Sequence, residues 1–105
     1  MSTRTADLAM AQYILLIHNN AQTRSSAEEW DAFFRAGQAS GMFVGGSGLE
    51  DERVIVGDAG AGPSANIVGY MRFDADDRQA LLELLQRHPI VVHGGSVELC
   101  EMAKE

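Results

Sequence analysis

Two segments with helical periodicity divide the chain, and each lies between two apolar runs. Over its 105 residues the sequence predicts strand, helix, strand, strand, helix and strand. Short connections and right-handed crossovers then favour a ferredoxin-like α+β fold, in which an antiparallel sheet carries both helices on one face. The length suits one domain, so we expect a single domain over 1–105, with 1–11 as a loosely ordered leader.

The clearest strand is the first apolar run, residues 13–18, which ends at Asn19 and Asn20. Both alternating sets of its positions are apolar, so we expect this strand to be covered on both faces. The other predicted strands are 42–49, 67–73 and 96–102. Residues 54–56 are a candidate for a short extra strand, and a glycine-rich loop is expected over 57–63.

The first helix has clear signals at both ends. Ser25 with Glu28, and Ser26 with Glu29, both fit a capping box. An apolar stripe with helical spacing follows, formed by Trp30, Phe33, Phe34 and Gly37. Gly41 is typical of the left-handed residue that ends a helix.

The second helix begins among three aspartates and ends near a proline. Asp74, Asp76 and Asp77 suit a helix start, where capping and the helix dipole favour carboxylates. Its predicted stripe contains Leu81, Leu84, Leu85 and His88. Pro89 is expected to end the helix, because proline breaks the hydrogen-bond ladder.

The expected topology brings three histidines to one end of the sheet. His18 ends the first strand, His88 the second helix, and His93 precedes the last strand. An imidazole titrates near neutral pH and serves as a general acid or base. We therefore take these histidines as candidate catalytic residues beside a small organic ligand. Asn20 and Asp58 reach the same end and are candidate ligand contacts.

Trp30 and Arg72 are the other candidate ligand contacts. Trp30 either belongs to the core or lines the mouth of the cleft. Arg72 lies in a strand expected to be covered on both faces, so its charge needs a partner. That partner is either Glu98 or Glu101 at a dimer interface, or an anionic ligand.

The second face of the sheet also carries apolar residues. A bare apolar face of this size favours association, and a second copy of the chain is the economical cover. We therefore expect a homodimer.

Composition excludes several classes of partner and site. Eight Lys and Arg against 15 Asp and Glu give a net charge of −7, so neither nucleic acid nor an anionic membrane is an expected partner. No run approaches the ~20 apolar residues of a membrane span, and the start has no signal-peptide pattern. Cys100 is the only cysteine, which excludes an internal disulfide and agrees with a cytoplasmic location. We expect no metal site and no cofactor.

Four stretches resemble the YCII-related proteins, in particular their DGPF-type branch. They are YILLIH, AGP, IVGYMRFDADD and LLELLQRHPIVVHGGSVELCEM, and the resemblance spans residues 13–102. It implies a ferredoxin-like fold that dimerises as an α/β barrel. Some members carry a His–Asp pair proposed as catalytic, with the Asp just before the proline after helix two. His88 occupies that position here, and Ala-Gly-Pro-Ser at 61–64 replaces the Asp-Gly-Pro-Phe signature.

Two functions remain open at this point. The protein is either a small-molecule enzyme that uses a histidine as general acid or base, or a non-catalytic dimeric module that binds a small ligand. An enzyme is expected to bring at least two histidines to one cavity. A module is expected to tie them to other groups or leave them in solvent.

Overall fold

The computed structural model describes residues 10–58, 60 and 62–104, and within them it places four strands and three helices. The strands are β1 (Ala11–His18), β2 (Phe43–Gly48), β3 (Ile67–Ala75) and β4 (Val97–Glu101). The helices are α1 (Ala27–Ser40), α2 (Arg78–Leu85) and α3 (Pro89–Val92). The strands form one antiparallel sheet in the order β2-β3-β1-β4. This small α+β architecture is compatible with the predicted ferredoxin-like fold.

The sheet starts earlier in the chain than the sequence predicts. Ala11 begins β1 and pairs with Ala75 at the end of β3. Residues 1–9 of the expected leader lie outside the described residues.

The core lies between the helices and one face of the sheet. Alternate side chains of the two central strands point into it, as expected for a pleat with a period of two. The buried core residues are Tyr13, Leu15, Ile17, Phe33, Met71, Phe73, Ala75, Leu81, Leu84 and Leu85. Because four of these come from α1 and α2, the helices cover that face.

The opposite face of the sheet carries the other set of alternate residues. Ile14 and Leu16 of β1 lie there, beside Tyr70 and Arg72 of β3, and all four are partly exposed. Within the described chain the helices therefore cover one face of β1. The prediction of cover on both faces depends on a partner that a single chain does not contain.

Helix α1 is built as the sequence predicts, and the structure decides between the two capping pairs. Ser26 is the N-cap: its hydroxyl accepts the backbone N–H of Glu29, and the Glu29 carboxylate accepts the backbone N–H of Ser26. Ser25 instead accepts the indole N–H of Trp30 at 2.9 Å. Gly41 ends the helix with a left-handed φ of 76°.

The region around Pro89 differs from the prediction. Asp77 caps α2 as expected, but α2 ends at Leu85, and His88 is not the last member of its stripe. His88 is instead the N-cap of α3, where its Nδ1 accepts the backbone N–H of Ile90. Proline has no N–H and a fixed φ, which suits the first turn of a helix, so Pro89 starts α3.

The candidate extra strand at 54–56 does not form. These residues belong to no strand, and Val54 and Val56 are 75% and 91% exposed. β3 already has β1 and β2 on its two sides, so this segment finds no edge there to pair with. Arg53 anchors the segment by donating to the carbonyls of Glu50 and Ile67.

In the described part of the chain, no helix is both long and apolar enough to cross a membrane.

Candidate functional site

The end of the sheet where β1 finishes is held together by backbone hydrogen bonds. The N–H of His18 donates to the carbonyl of Ser96, and the N–H of Asn19 donates to that of Asn66. The N–H of Gln22 donates to the carbonyl of His93 at 2.8 Å. The loop after β1 thus lies against both the segment before β3 and the turn before β4, so His18 and His93 belong to the same end of the fold.

His18 lies between a carboxylate and an amide. Its Nε2 is 2.9 Å from Glu98 Oε1, and its Nδ1 is 3.4 Å from Asn66 Nδ2. A carboxylate only accepts, so Nε2 carries the hydrogen and Nδ1 accepts from the Asn66 amide. Both ring nitrogens are therefore occupied, and the Glu98 side chain is largely in solvent.

His93 connects the turn after α3 to the start of α1. Its Nε2 is 2.7 Å from Glu29 Oε2, and its Nδ1 is 2.6 Å from Thr23 Oγ1. The carboxylate again requires a hydrogen on Nε2, so in the neutral ring Nδ1 accepts the hydroxyl hydrogen of Thr23. One imidazole thus links a hydroxyl to a carboxylate.

Glu29 has two functions in this arrangement. One carboxylate oxygen closes the capping box on the Ser26 N–H at 2.8 Å, and the other meets His93. The Ser26 hydrogen bond, followed by that from His93, lowers the pKa of Glu29. The carboxylate is therefore ionised near neutral pH and fixed at both oxygens.

His88 is in a different environment, fully buried among aromatic rings. Its ring centroid lies 5.0 Å from that of Trp30 and 4.8 Å from that of Phe33. Burial lowers the pKa of His88 from 6.5 to about 4, so the ring is neutral near pH 7. A group with no exposed surface does not exchange protons directly with a ligand in solvent.

The three imidazoles therefore form three separate groups. No hydrogen bond in the described residues joins two of them, and none of them lines the apolar cavity described next. Each has its own partners instead: Glu98 for one, Glu29 for another and a helix start for the third.

The four candidate ligand contacts also lie apart. The side chain of Asn20 bonds both the N–H and the hydroxyl of Ser96, so it stabilises the turn before β4. Asp58 is exposed in the segment between β2 and β3. Arg72 lies on the open face of the sheet, and Trp30 lines a cavity.

That cavity has a volume of about 300 Å³ and lies between α1, α3 and the β2–β3 side of the sheet. Its lining is mostly apolar and contains Ile17, Trp30, Phe34, Gly46, Ser47, Gly48, Val68, Gly69, Tyr70, Met71 and Ile90. The polar side-chain groups of Trp30 and Ser47 are already used, because they donate to Ser25 Oγ and to the carbonyl of Gly48. The third polar residue of the lining, Tyr70, pairs with Leu16 at a position that faces the open side of the sheet. The cavity therefore favours an apolar guest.

Glycines at the edge of the sheet contribute to this space. Gly48 faces Gly69 across β2 and β3, and both line the cavity. A Cβ at Gly69 would meet Ser47 O at 3.2 Å, whereas one at Gly48 meets only Val68 O, at 3.9 Å. A glycine inside a strand often marks a close approach by a ligand or another backbone, and this was the available sequence signal for the cavity.

Sequence reasoning also missed the partners of the histidines. The sequence does not single out Thr23, it indicates Glu29 only as a capping residue, and it offers Glu98 as one of the alternative partners of Arg72. The contacts of His93 with Thr23 and Glu29 span 70 and 64 positions of the chain, so no local pattern indicates them.

Neither a search for metal-binding clusters nor comparison with known proteins assigns a function to this site. Among the described residues no group of three or more His, Cys, Asp or Glu side chains is arranged to hold a metal ion. No protein-family model and no curated protein matches the chain. What the protein does must therefore follow from its own side chains.

Proposed function

We propose that the protein binds a small apolar organic molecule in the cavity between α1 and the glycine-rich side of the sheet. The observation that carries this proposal is the cavity itself, about 300 Å³ in volume, with Trp30 and Phe34 among its lining residues. Small-molecule sites are typically mostly apolar and start at about this volume. Of the two functions considered from the sequence, the ligand-binding module fits this arrangement better, because the histidines lie elsewhere.

The lining indicates the chemistry of the ligand. Trp30 and Phe34 have ring centroids 6.0 Å apart and planes tilted by 34°, so two aromatic surfaces lie close together beside the cavity. Aromatic rings favour offset or edge contacts with other rings. A flat aromatic ligand with few polar groups would bury its surface here without leaving its own polar groups unpaired.

The binding test uses Trp30, the only tryptophan of the chain, as a reporter. N-phenyl-1-naphthylamine, a neutral apolar dye, is titrated into the protein while energy transfer from Trp30 to the dye is recorded. We expect saturable transfer, because a dye in the cavity lies against the indole. The Gly48→Leu variant fills the cavity from β2 and is expected to weaken binding at least tenfold, equivalent to about 1.4 kcal/mol.

Gly45→Leu is the matched control. Gly45 is on the same strand but faces Arg72 across the sheet, does not line the cavity, and has open space around its would-be Cβ. Unchanged binding in Gly48→Leu, or equal loss in both variants, would remove the cavity as the binding site.

We also propose that the chain acts as a homodimer through the open face of its sheet. Arg72 Nε and Asp74 Oδ1 are buried there without a hydrogen-bond partner in the described chain. Buried polar atoms are costly unless they are paired, and a second copy supplies both charges. Glu98 faces the same side as Arg72, whereas Glu101 pairs with Tyr13 on the helix side, so Glu98 is the better interchain partner.

We further propose that the chain is related to a known family and that it is located in a reducing compartment. The strand order and the sequence around His88 and Pro89 support a YCII-related protein of the dimeric α/β barrel type. The single thiol, Cys100, supports a reducing compartment such as the cytoplasm.

Catalysis by a histidine is the second candidate function, and one observation favours it at His93. The Glu29 carboxylate fixes one nitrogen of this ring, which leaves the other as a base directed at a hydroxyl. His18 has an analogous carboxylate in Glu98, but its second nitrogen meets only an amide. His88 is buried, so His93 is the best of the three candidates.

A further inference from the structure

Thr23, His93 and Glu29 form a series of hydroxyl, imidazole and carboxylate. Thr23 Oγ1 lies 2.6 Å from His93 Nδ1, and His93 Nε2 lies 2.7 Å from Glu29 Oε2. The other carboxylate oxygen accepts the Ser26 N–H at 2.8 Å, which fixes the far end of the series. Groups of these three types in this order recur in hydrolases on unrelated folds, where geometry and roles identify them.

The protonation state of the series follows from its contacts. The carboxylate holds a hydrogen on His93 Nε2, so in the neutral ring the lone pair of Nδ1 faces the hydroxyl hydrogen of Thr23. Removal of that hydrogen would make the ring an imidazolium beside an ionised carboxylate, which stabilises the charge. The pKa of Glu29 is lowered, which keeps that carboxylate ionised.

We propose that Thr23 is a nucleophile for acyl transfer from carboxylic esters, with His93 as general base and Glu29 as a positioning residue. This rests on the catalytic candidate above and is independent of ligand binding in the apolar cavity. Thr23 Oγ1 attacks the ester carbonyl carbon while its proton passes to His93 Nδ1. The ester C–O bond then breaks, the alcohol leaves with that proton, and the acyl group remains on Thr23.

Hydrolysis completes the cycle with the same groups. Water attacks the acyl carbon of the threonine ester while His93 Nδ1 takes its proton. The bond from the acyl carbon to Thr23 Oγ1 breaks, the proton returns to that oxygen, and the carboxylic acid is released. Water is the only co-reactant.

The position of the series suits a substrate from solution. Thr23 is an exposed residue in the loop between β1 and α1. A hollow of about 190 Å³ beside the carboxylate is lined by Glu29, Ala32, Phe33, Arg87, Pro89 and Val92. This hollow lies at the carboxylate end of the series, where Phe33, Pro89 and Val92 offer apolar surface to part of a substrate.

The test uses 4-nitrophenyl acetate and the full chain. The reaction is quenched in acid during the first turnover, and peptide mapping by mass spectrometry locates the acetyl group. We expect it on Thr23, and we expect Thr23→Val and His93→Gln to slow 4-nitrophenolate release about 100-fold, which is typical for loss of a general base. Thr23→Ser is expected to retain the reaction.

His18→Gln is the matched control, because it removes an imidazole that pairs with a carboxylate but faces no hydroxyl. Its rate is expected to match that of the unaltered protein. A folded protein with no acetyl on Thr23, or an undiminished rate in Thr23→Val, would overturn the proposal. Either result leaves dye binding in the cavity unaffected, so the two proposals fail separately.

The positioning role of Glu29 is tested with a measurement that a loss of stability alone would not change. The ¹⁵N signals of His93 report which ring nitrogen carries the hydrogen. We expect the Nε2–H form in the unaltered protein, and a mixture of both tautomers with a slower reaction in Glu29→Gln. An unchanged tautomer together with an unchanged rate would remove Glu29 from the series.

Discussion

The imidazole of His88 stands almost perpendicular to the indole of Trp30, with ring centroids 5.0 Å apart and planes 84° apart. Its Nδ1 accepts the N–H of Ile90, so the neutral ring carries its hydrogen on Nε2. That Nε2 is buried and has no hydrogen-bond acceptor in the described chain. An aromatic face can act as a weak acceptor for such an N–H, and the rings of Trp30 and Phe33 contact the imidazole. His88 is thus a structural residue packed against Trp30 and Phe33.

The burial of His88 predicts a stability that depends on pH. Its pKa falls from 6.5 to about 4 on folding, so between these values the unfolded chain binds a proton that the folded chain does not. The free energy of unfolding therefore decreases as the pH falls from 6.5 towards 4, by about 3 kcal/mol in full. Urea unfolding at a series of pH values measures this loss.

The His88→Asn variant is the control for that measurement. An asparagine oxygen is a good N-cap acceptor for the start of α3 and does not titrate. We expect lower stability at pH 7, because a cavity replaces part of the ring, together with a weaker dependence on pH between 6.5 and 4.5. The same dependence in both proteins would assign it to other groups.

Gly95→Ala is expected to destabilise the turn before β4. A Cβ at Gly95 would lie 2.7 Å from Ile90 Cγ2 and 2.8 Å from both Ala21 N and Asn20 Oδ1. Asn20 Oδ1 accepts the N–H of Ser96 and Ala21 N belongs to the backbone, so neither atom moves freely and the cost should be about 1–3 kcal/mol. Thermal unfolding measures it, and Gly45→Ala, where the Cβ meets nothing within 4 Å, serves as the control.

Ser26→Ala is expected to destabilise α1 by about 1 kcal/mol, the usual effect of losing an N-cap hydroxyl. The hydroxyl accepts the N–H of Glu29 at 3.1 Å. Chemical denaturation compares this variant with Ser64→Ala, an exposed serine outside the helices. Equal stability of the two variants would contradict the capping function of Ser26.

The homodimer proposal predicts that a charge on the open face separates the subunits. Leu16 lies on that face between Tyr70 and Glu98, and Leu16→Glu should convert a dimer into a monomer in sedimentation velocity at micromolar concentration. Leu82→Glu is the control, because Leu82 is 38% exposed on α2. A monomeric unaltered protein under these conditions would contradict the proposal.

Local signals in the sequence located the elements well. The Ser26–Glu29 capping box, the left-handed Gly41 and the Asp77 cap each depend on residues within one helical turn, and each is confirmed. The apolar run before Asn19 likewise forms a strand. Such signals depend on neighbouring residues, which a sequence displays directly.

Features that depend on distant contacts were less accessible. The apolar residues 54–56 look like a strand, but strand formation needs pairing with a partner edge, and this segment pairs with none of the four strands. His88 fits the stripe of α2 by spacing, yet Pro89 makes it the cap of the next helix. The histidines were expected to share a site, whereas each found its own partner at long range.

Glu29 joins the first turn of α1 to the ring of His93 through its two oxygens. Formation of the first turn of α1 and binding at the His93 imidazole are consequently coupled through this carboxylate. A molecule that engages the imidazole will alter how firmly the helix is nucleated, and fraying of the helix will in turn alter affinity at the imidazole, by equal and reciprocal amounts.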